Sequence, residues 1–304
     1  MPGRSDLAIT AFALLAWAFP LAAQNTVDAR FARDQPPIVM AHRSATIEGY
    51  PENTLEWIEG AIKSGIDMVH INPQLTADGK YVLMHDSTLN RMTDVEDVFP
   101  KGPPGGPTRA QRGGKDYVRD YTLEEIRDLR VVGFPGFGAY GVPTLSEALD
   151  LVDGRALIAL GLKAYEIESL SGTLQRQDTQ NLLLYELHYS GSEQSKLRIL
   201  AETAEIAVGL ALVQSGDYLK ELEDVSRQLD PYLRMVSIKS SRLSPEFIAQ
   251  AGNLGLRVAV SGWASREDFA LIERDDPQPW LAVLEADLSV VTDAPEAVLR
   301  LMGR

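Results

Sequence analysis

The sequence predicts an α/β protein folded as a (β/α)8 TIM barrel, and three observations support that prediction. After a polar leader that ends near Gln35, apolar runs of strand length alternate with amphipathic stretches of helix length, which is typical of parallel βα units. About eight such units fit within about 260 residues, the size of a closed barrel. No glycine-rich dinucleotide fingerprint follows an early candidate strand, which argues against an open doubly wound sheet.

Nine apolar segments are candidate strands, one more than an eight-stranded barrel needs. They span residues 38–41, 68–71, 81–84, 156–162, 181–185, 206–213, 235–238, 257–260 and 288–292. Candidate helices span residues 54–64, 192–202, 218–229, 245–253 and 266–273. The connection from Asn72 to Tyr81 is too short for a helical crossover between parallel strands. We therefore expect one of the nine segments to be misassigned or to lie outside the barrel.

Residues 94–120 form a Pro/Gly-rich insertion after the third candidate strand of the predicted barrel domain, residues 24–304. The insertion contains the run Pro-Pro-Gly-Gly-Pro at residues 103–107 and a second glycine pair at 113–114. An insertion at this point lies over the face of a barrel where active sites form. Two interpretations remain open, a disordered insertion and a lid or substrate-selecting loop.

The first 23 residues have the order of a secretory signal peptide. Arg4 precedes an apolar run at residues 7–21, and Ala22-Ala23 supply the small residues of a cleavage site. Pro20 interrupts the run, which is shorter than the roughly 20 residues of a spanning helix. We expect a mature protein that starts near Gln24, is secreted or periplasmic, and has no integral membrane segment. The chain contains no cysteine, so no disulfide stabilises it.

The net charge limits the classes of partner. The formal charge is -14 at pH 7 and the isoelectric point is near 4.8. Nucleic acids and anionic membranes are bound by basic surfaces, so we expect neither as a partner. An anionic small molecule would need cations placed locally in its site. The composition leaves the oligomeric state open.

Two histidines follow separate candidate strands, each inside a short polar motif. His42-Arg43 comes after the first candidate strand and His85-Asp86 after the third. The carboxyl ends of barrel strands meet at one face, where catalytic residues lie. Two imidazoles placed in this way suit general acid and general base work on a phosphodiester.

The ordered motifs resemble those of the glycerophosphodiester phosphodiesterase family, whose members contain HRG, PENT, E-x-D, T-x-D-G, HD and L-x-R-x-T. The matching stretches here are residues 42–44, 51–54, 76–79, 85–86 and 89–93, followed by 121–126, 142–145 and 291–295. The resemblance covers most of the mature chain and implies the same barrel fold. It also implies cleavage of glycerol-phosphate diesters, a reaction of lipid metabolism.

The resemblance assigns roles to four side chains. It implies that His42 and His85 are the acid and base, and that Arg43 and Lys163 bind the phosphate of a small-molecule diester. Paired hydrogen bonds make arginine well suited to a phosphate contact. Ser44 stands where the family has a glycine.

Glu52 and Asn53 precede the candidate helix that begins at Thr54. One interpretation is that they cap the start of this helix, and the other is that they orient a catalytic group. We predict a structural role in contact with the site.

The metal positions of the family are altered in this chain. The resemblance implies a Ca²⁺ or Mg²⁺ ion bound by the E-x-D pair and a later glutamate, and these positions fall on His70, Asn72 and Gly161. None of the three carries a carboxylate. Hard cations prefer charged oxygen ligands, so we expect both ions to bind poorly. An alternative is a Zn²⁺ site formed by His42, His70 and His85.

Three functional hypotheses follow. The first is a phosphoric diester hydrolase that uses the two histidines and acts on glycerophosphodiesters. The second is a pseudoenzyme that keeps the pocket as a binding site for a phosphate-bearing ligand. The third is a metal-independent phosphodiesterase or lyase, in which a substrate hydroxyl attacks the phosphorus and a cyclic phosphate forms.

Overall fold

The computed structural model describes residues 25–43, 47–132, 140–187, 194–212 and 216–304. The predicted signal peptide and Ser44 lie outside the described residues. Within the described ranges, no helix is both long enough and apolar enough to cross a bilayer.

The described residues form ten strands, and eight of them close into a parallel barrel. The strands are β1 (Val39–Ala41), β2 (Met68–Ile71), β3 (Pro73–Leu75), β4 (Tyr81–Leu83), β5 (Leu157–Gly161), β6 (Leu182–Leu187), β7 (Ala207–Ala211), β8 (Leu233–Ile238), β9 (Arg257–Ser261) and β10 (Ser289–Thr292). Around the barrel the order is β1, β2, β5, β6, β7, β8, β9 and β10, which pairs again with β1. The predicted (β/α)8 fold is confirmed.

The extra candidate strand belongs to a hairpin outside the barrel. Strand β4 pairs antiparallel with β3, with Pro73 opposite Leu83. The chain between them needs only a tight turn, in which Gly79 has a φ of 72° that suits a residue without a side chain. The Pro/Gly-rich insertion therefore follows this hairpin, and the third strand of the barrel is β5.

Twelve α-helices accompany the strands in the part of the chain that the structure describes. They are α1 (Val27–Phe31), α2 (Leu55–Lys63), α3 (Val95–Val98), α4 (Leu123–Arg127), α5 (Leu145–Val152), α6 (Ile167–Leu174), α7 (Gln194–Ala204), α8 (Tyr218–Leu229), α9 (Pro245–Asn253), α10 (Arg266–Arg274), α11 (Gln278–Leu284) and α12 (Pro295–Leu301) among the described residues. Side chains of Thr54, Thr144 and Ser244 cap the starts of α2, α5 and α9 by accepting a backbone hydrogen bond. Such caps satisfy amide groups that have no partner inside the helix.

Helix α1 closes the barrel at the amino-terminal ends of the strands. Its Val27 and Phe31 are buried with Met40, Leu183 and Met235, which belong to the apolar cluster of alternate strand residues. The amide of Val27 donates to the carbonyl of Gln180, two residues before β6. The opposite face, at the carboxyl ends of the strands, is left for the polar residues of the site.

The insertion after β4 packs as a layer with its own apolar core. Val95, Val118 and Tyr121 are buried in a cluster separate from the barrel clusters. The buried Asp116 carboxylate accepts hydrogen bonds from Nε of Arg109 at 2.5 Å and from the Tyr121 hydroxyl at 2.6 Å. These contacts order the segment, so the interpretation as a disordered insertion is wrong.

Candidate active site

Each of the two predicted catalytic histidines is oriented by a carboxylate. His42 follows β1, and its Nδ1 donates to Oδ1 of Asp293, which follows β10, at 2.6 Å. His85 lies two residues after β4, and its Nδ1 donates to Oδ1 of the adjacent Asp86 at 2.7 Å. A carboxylate at Nδ1 holds an imidazole in the tautomer that exchanges protons through Nε2.

His42 is buried between two other rings. Its imidazole stacks on Trp263 with ring centroids 4.7 Å apart, and the ring of His70 lies 5.4 Å away. Only 4% of His42 is exposed. The ring is therefore fixed by packing as well as by Asp293.

The buried carboxylate of Asp268 supports Asp293. Oδ2 of Asp268 accepts the backbone amide of Asp293 at 2.6 Å, and Oδ1 accepts the Thr292 hydroxyl at 2.5 Å and the Trp280 indole at 3.1 Å. Burial raises the pKa of Asp268 to about 6, although the hydrogen bonds from Thr292 and Asp293 favour its charged form. Asp268 thus acts on the site through Asp293.

A chain of ion pairs joins His85 to Arg43. Nε of Arg91 donates to Asp86 at 2.6 Å, and Nη2 of Arg91 donates to Glu52 at 2.5 Å. The other oxygen of Glu52 accepts from Arg43 at 3.1 Å. Although desolvation would raise it, the pKa of Asp86 is lowered to about 2 by its bonds to Arg91 and His85. Asp86 is therefore a carboxylate at any pH at which the protein would work.

Glu52 and Asn53 do not cap the following helix, because the side chain of Thr54 does so. Asn53 has a φ of 61°, and its Oδ1 accepts the backbone amide of Asn72 at 2.8 Å. Asn53 therefore fixes the chain just after β2, whereas Glu52 bridges two arginines at the site. Both side chains have structural contacts with the site.

His85 and Lys163 line an open cleft at this face. The cleft has a volume of about 620 Å³. Its walls are formed by Gln74, His85, Asp86, Ser87, Thr88, Lys115, Tyr117, Lys163 and Ala164. Desolvation and the charge of Arg43 lower the pKa of Lys163, while Asp86 opposes them. Lys163 nevertheless reaches solvent in the cleft, where its ammonium group can bind an anion.

Residues 42–268 match the model of the glycerophosphoryl diester phosphodiesterase family. The chain belongs to this family. A glycerophosphodiester phosphodiesterase of Bacillus altitudinis is 32% identical over 127 residues, which are 41% of this chain and 44% of that relative. The chain therefore matches less than half of that relative's length. YhdW of Bacillus subtilis (strain 168) is 23% identical over 268 residues, 86% of this chain and 96% of that protein.

Solved structures of the glycerophosphoryl diester phosphodiesterase family share the fold. A family structure from Parabacteroides distasonis ATCC 8503 has a TM-score of 0.69 at 21% identity and covers 91% of this chain and 92% of its own. An Oleispira antarctica phosphodiesterase in complex with the product sn-glycerol-3-phosphate has a TM-score of 0.62 at 21% identity. It covers 88% of this chain and 98% of its own. At this identity the likeness is one of fold.

Two neutral side chains and a glycine occupy the three positions at which the resemblance implies metal ligands. His70 and Asn72 lie at the end of β2, and Gly161 ends the neighbouring strand β5. Nδ2 of Asn72 donates to the carbonyl of Gly161 at 3.1 Å. Burial, followed by the charges of His42 and Lys163, lowers the pKa of His70 well below its usual value. His70 is therefore a neutral imidazole.

These residues do not fit the divalent ion that the family generally uses. Nδ1 of His70 and Oδ1 of Asn72 are buried atoms without a hydrogen-bond partner in the described structure. Two neutral donors, with no carboxylate, are a poor set for Ca²⁺ or Mg²⁺, which prefer several charged oxygens. We therefore derive no step of the reaction through such an ion.

The predicted zinc alternative also lacks support. In the described ranges, no three His, Cys, Asp or Glu side chains converge in a way that could hold a metal ion. Of the three proposed ligands, His42 and His85 each direct Nδ1 at a carboxylate. These contacts orient the two rings, but no set of three ligands forms among the described residues.

The structure brings the predicted acid, base and phosphate-binding residues to one face. It adds five residues to which sequence reasoning gave no role in the site. They are Asp293, Asp268, Arg91, Trp263 and Lys115. For Asp293 two signals were available, its place directly after a barrel strand and its place in the matching stretch at residues 291–295.

Proposed function

We propose that this protein cleaves glycerophosphodiesters by acid–base catalysis with His42 and His85. The observation that supports the proposal is the matched pair of imidazole–carboxylate contacts, one to Asp293 and one to Asp86, at the same face of the barrel. Such positioned groups each contribute about 10²- to 10⁴-fold to a proton-transfer step. Family membership supports the same reaction class.

We assign the role of base to His85, which lines the open cleft beside Lys163. Burial lowers the pKa of His85 more than its bond to Asp86 raises it, and the charges of Arg43 and Lys163 act in the same direction as burial. His85 is therefore neutral at pH 7 and can accept a proton from the water molecule whose oxygen attacks phosphorus. In this assignment His42 donates a proton to the departing alcohol oxygen while the phosphorus–oxygen bond breaks.

Arg43 and Lys163 are the groups that would hold the phosphate. Glu52 fixes the guanidinium of Arg43, and Lys163 lines the cleft beside His85. Fixed cations next to the phosphoryl oxygens stabilise the negative charge of the transition state without later reorganisation. Since the metal positions are filled by neutral side chains, we propose that cleavage proceeds without Ca²⁺ or Mg²⁺.

The neutral residues at positions 70, 72 and 161 also favour a second candidate for the nucleophile, a hydroxyl group of the substrate. Because the residues at the metal positions do not fit an ion that could activate water, the neighbouring hydroxyl of the substrate glycerol is an alternative attacking group. Its oxygen would bond to phosphorus, its proton would pass to His85, and His42 would protonate the leaving alcohol. The products would be a cyclic glycerol phosphate and the free alcohol. Intramolecular attack lowers the activation barrier, because the attacking hydroxyl is already held next to the phosphorus.

The cellular setting forms part of the proposal. The Oleispira antarctica phosphodiesterase was solved with the product sn-glycerol-3-phosphate, and we propose the corresponding glycerol-phosphate half as the common part of the substrate. The predicted signal peptide at residues 1–23 supports a secreted or periplasmic enzyme. Release of glycerol phosphate from such diesters would place it in lipid metabolism.

The deciding experiment measures cleavage of glycerophosphocholine, glycerophosphoinositol and a chromogenic phosphodiester with Ca²⁺, Mg²⁺, Zn²⁺ or EDTA. We expect turnover that persists in EDTA and is lost in His42→Ala, with Arg127→Ala, a change in an exposed ion pair with Glu147, as a control. Phosphorus NMR separates a monoester product from a cyclic phosphate. Turnover that requires added Ca²⁺ or Mg²⁺ would refute metal independence. Absence of turnover above His42→Ala in every condition would refute catalysis and leave a phosphate-binding pseudoenzyme.

A further inference from the structure

The insertion delivers one lysine to the cleft that contains the proposed base. Residue 117 pairs with residue 88 in an antiparallel bridge, and the amide of Val118 donates to the carbonyl of Ser87 at 3.0 Å. Residues 115–118 therefore run alongside the segment that directly follows His85 and Asp86. Lys115 and Tyr117 line the same cleft as Lys163.

A buried anchor holds Lys115 in this place. The next residue, Asp116, is 1% exposed, and its amide donates to Oδ1 of Asn90 at 2.8 Å. Its carbonyl accepts the amide of Leu89, and its carboxylate accepts from Arg109 and Tyr121. The residue that follows Lys115 is thus fixed through its amide, its carbonyl and its side chain, although the ammonium group of Lys115 is in solvent.

The insertion has no net charge over residues 94–120, but its middle part, residues 99–119, is cationic within an acidic protein. Between Phe99 and Arg119 the sequence has five lysine and arginine residues and one carboxylate, while the whole chain carries a charge of -14. Arg109 is paired with Asp116, and Arg112 with Asp120. Lys115 makes no ion pair among the described residues, so its charge is available to a ligand in the cleft.

The side chains of the cleft favour an anionic ligand over a cationic one. Its carboxylate, Asp86, is already bonded to His85 and Arg91. The ring of Tyr117 already has the guanidinium groups of Arg112 and Arg119 at 5.8 and 5.5 Å from its centre. A quaternary ammonium group would therefore find neither a free carboxylate nor a free aromatic face. A second anion would meet Lys115 while Lys163 holds the phosphate that is cleaved.

We propose that Lys115 forms a subsite for a second anionic group, carried by the alcohol half of the diester. This inference rests on the proposed function, because it divides the substrate between a cleaved phosphate at Lys163 and an anionic head group at Lys115. The preferred substrates are then diesters whose alcohol carries its own phosphate or carboxylate. The insertion acts as a specificity element of the reaction.

The test compares glycerophosphoinositol with glycerophosphoinositol 4-phosphate, which differ by one phosphate, and uses glycerophosphocholine as the cationic counterpart. We expect the native protein to prefer the 4-phosphate in kcat/KM. In Lys115→Ala that preference should fall about fivefold, through KM, and Lys115→Glu should lower it further. Lys101→Ala is the matched control, since Lys101 belongs to the same insertion but lines a separate hollow with Pro100 and Arg109.

Binding measured by calorimetry on a His42→Ala background separates the two proposals. A preference for the 4-phosphate in binding that Lys115→Ala removes would support the subsite even if the native protein cleaves none of the diesters. Turnover with no preference, or with a preference that Lys115→Ala leaves intact, would refute the subsite and leave the proposed function standing. An equal fall in kcat/KM for all three diesters in Lys115→Ala would also refute the subsite. The preference should weaken as salt rises, because the ammonium group is exposed.

Discussion

A Cβ atom on Gly161 would lie 2.0 Å from Nε2 of His70. It would also lie 2.3 Å from Nδ2 of Asn72, so the three residues at the metal positions occupy one another's space. A carboxylate side chain at position 161 is incompatible with the present side chains of His70, in β2, and of Asn72, directly after β2. A side chain at position 161 would therefore require changes at positions 70 and 72 as well.

Gly161→Ala should destabilise the protein. The added methyl group meets two buried side chains in a packed barrel, and such overpacking costs about 1–3 kcal/mol. The free energy of unfolding from urea titration measures the effect. Gly172→Ala, within α6, is the control because a Cβ there has no neighbour within 4 Å, and alanine favours a helix by roughly 0.5–1 kcal/mol. Equal stability of the two variants would contradict the packing argument.

Restoring the family's carboxylates together should restore a metal site. In His70→Glu/Asn72→Asp/Gly161→Glu the imidazole that blocks position 161 is removed, and three anionic ligands replace neutral groups. We expect Ca²⁺ to raise the melting temperature of this variant, with about 2.7 kcal/mol of added stability at a hundredfold excess over Kd. The native protein, titrated in parallel, should show no such shift. A triple variant that folds and ignores Ca²⁺ would show that these are not the metal positions.

The sequence allowed the barrel to be predicted because alternation of apolar strands and amphipathic helices is a local pattern. Strand β4 could not be placed, since an apolar run is the same in a hairpin and in a barrel, and its partner is decided by the whole chain. His42 and His85 were predicted from short motifs beside strands. Asp293 was not given a role because barrel closure joins it to His42 across 251 positions. The role of Lys115 likewise depends on how the insertion folds back.

Arg91→Lys should reduce turnover even though it keeps the charge. Arg91 contacts Asp86 through two nitrogens and Glu52 through one of them, and a lysine cannot make this planar set of contacts. We expect kcat/KM to fall about tenfold or more, because the carboxylate that orients His85 loses its support. Arg127→Lys alters an exposed pair with Glu147 and should have little effect. Equal activities would show that the network is only structural.

Acidification should destabilise the protein through His70. Its pKa in the folded state lies well below 6.5 because of burial, whereas the unfolded chain binds a proton near the ordinary value. Below pH 6.5 the unfolded state therefore binds more protons, so this contribution to stability is present above that pH and is lost as pH falls. His70→Phe keeps a ring against Tyr185 and removes the titration. The stability of the native protein should thus fall relative to His70→Phe by up to about 1.4 kcal/mol per pH unit.

Asp268→Asn tests whether Asp268 positions the catalytic dyad of His42 and Asp293. The carboxylate accepts three hydrogen bonds, including the amide of Asp293, and an asparagine amide group would place a donor against at least one donor. We expect kcat to fall by about tenfold or more with little change in KM, because His42 is misoriented and the substrate still meets Arg43 and Lys163.

The pH dependence separates positioning from simple structural support. Since burial raises the pKa of Asp268 to about 6, the folded state binds more protons than the unfolded state between about pH 4 and 6, and stability from this group falls as pH rises through that range. Asp268→Asn should remove both that slope and any step in kcat near pH 6. Asp275→Asn, an exposed change at the end of the same helix, should alter neither. An Asp268→Asn protein with native kcat and an unchanged pH profile would show that Asp293 holds His42 without help from Asp268.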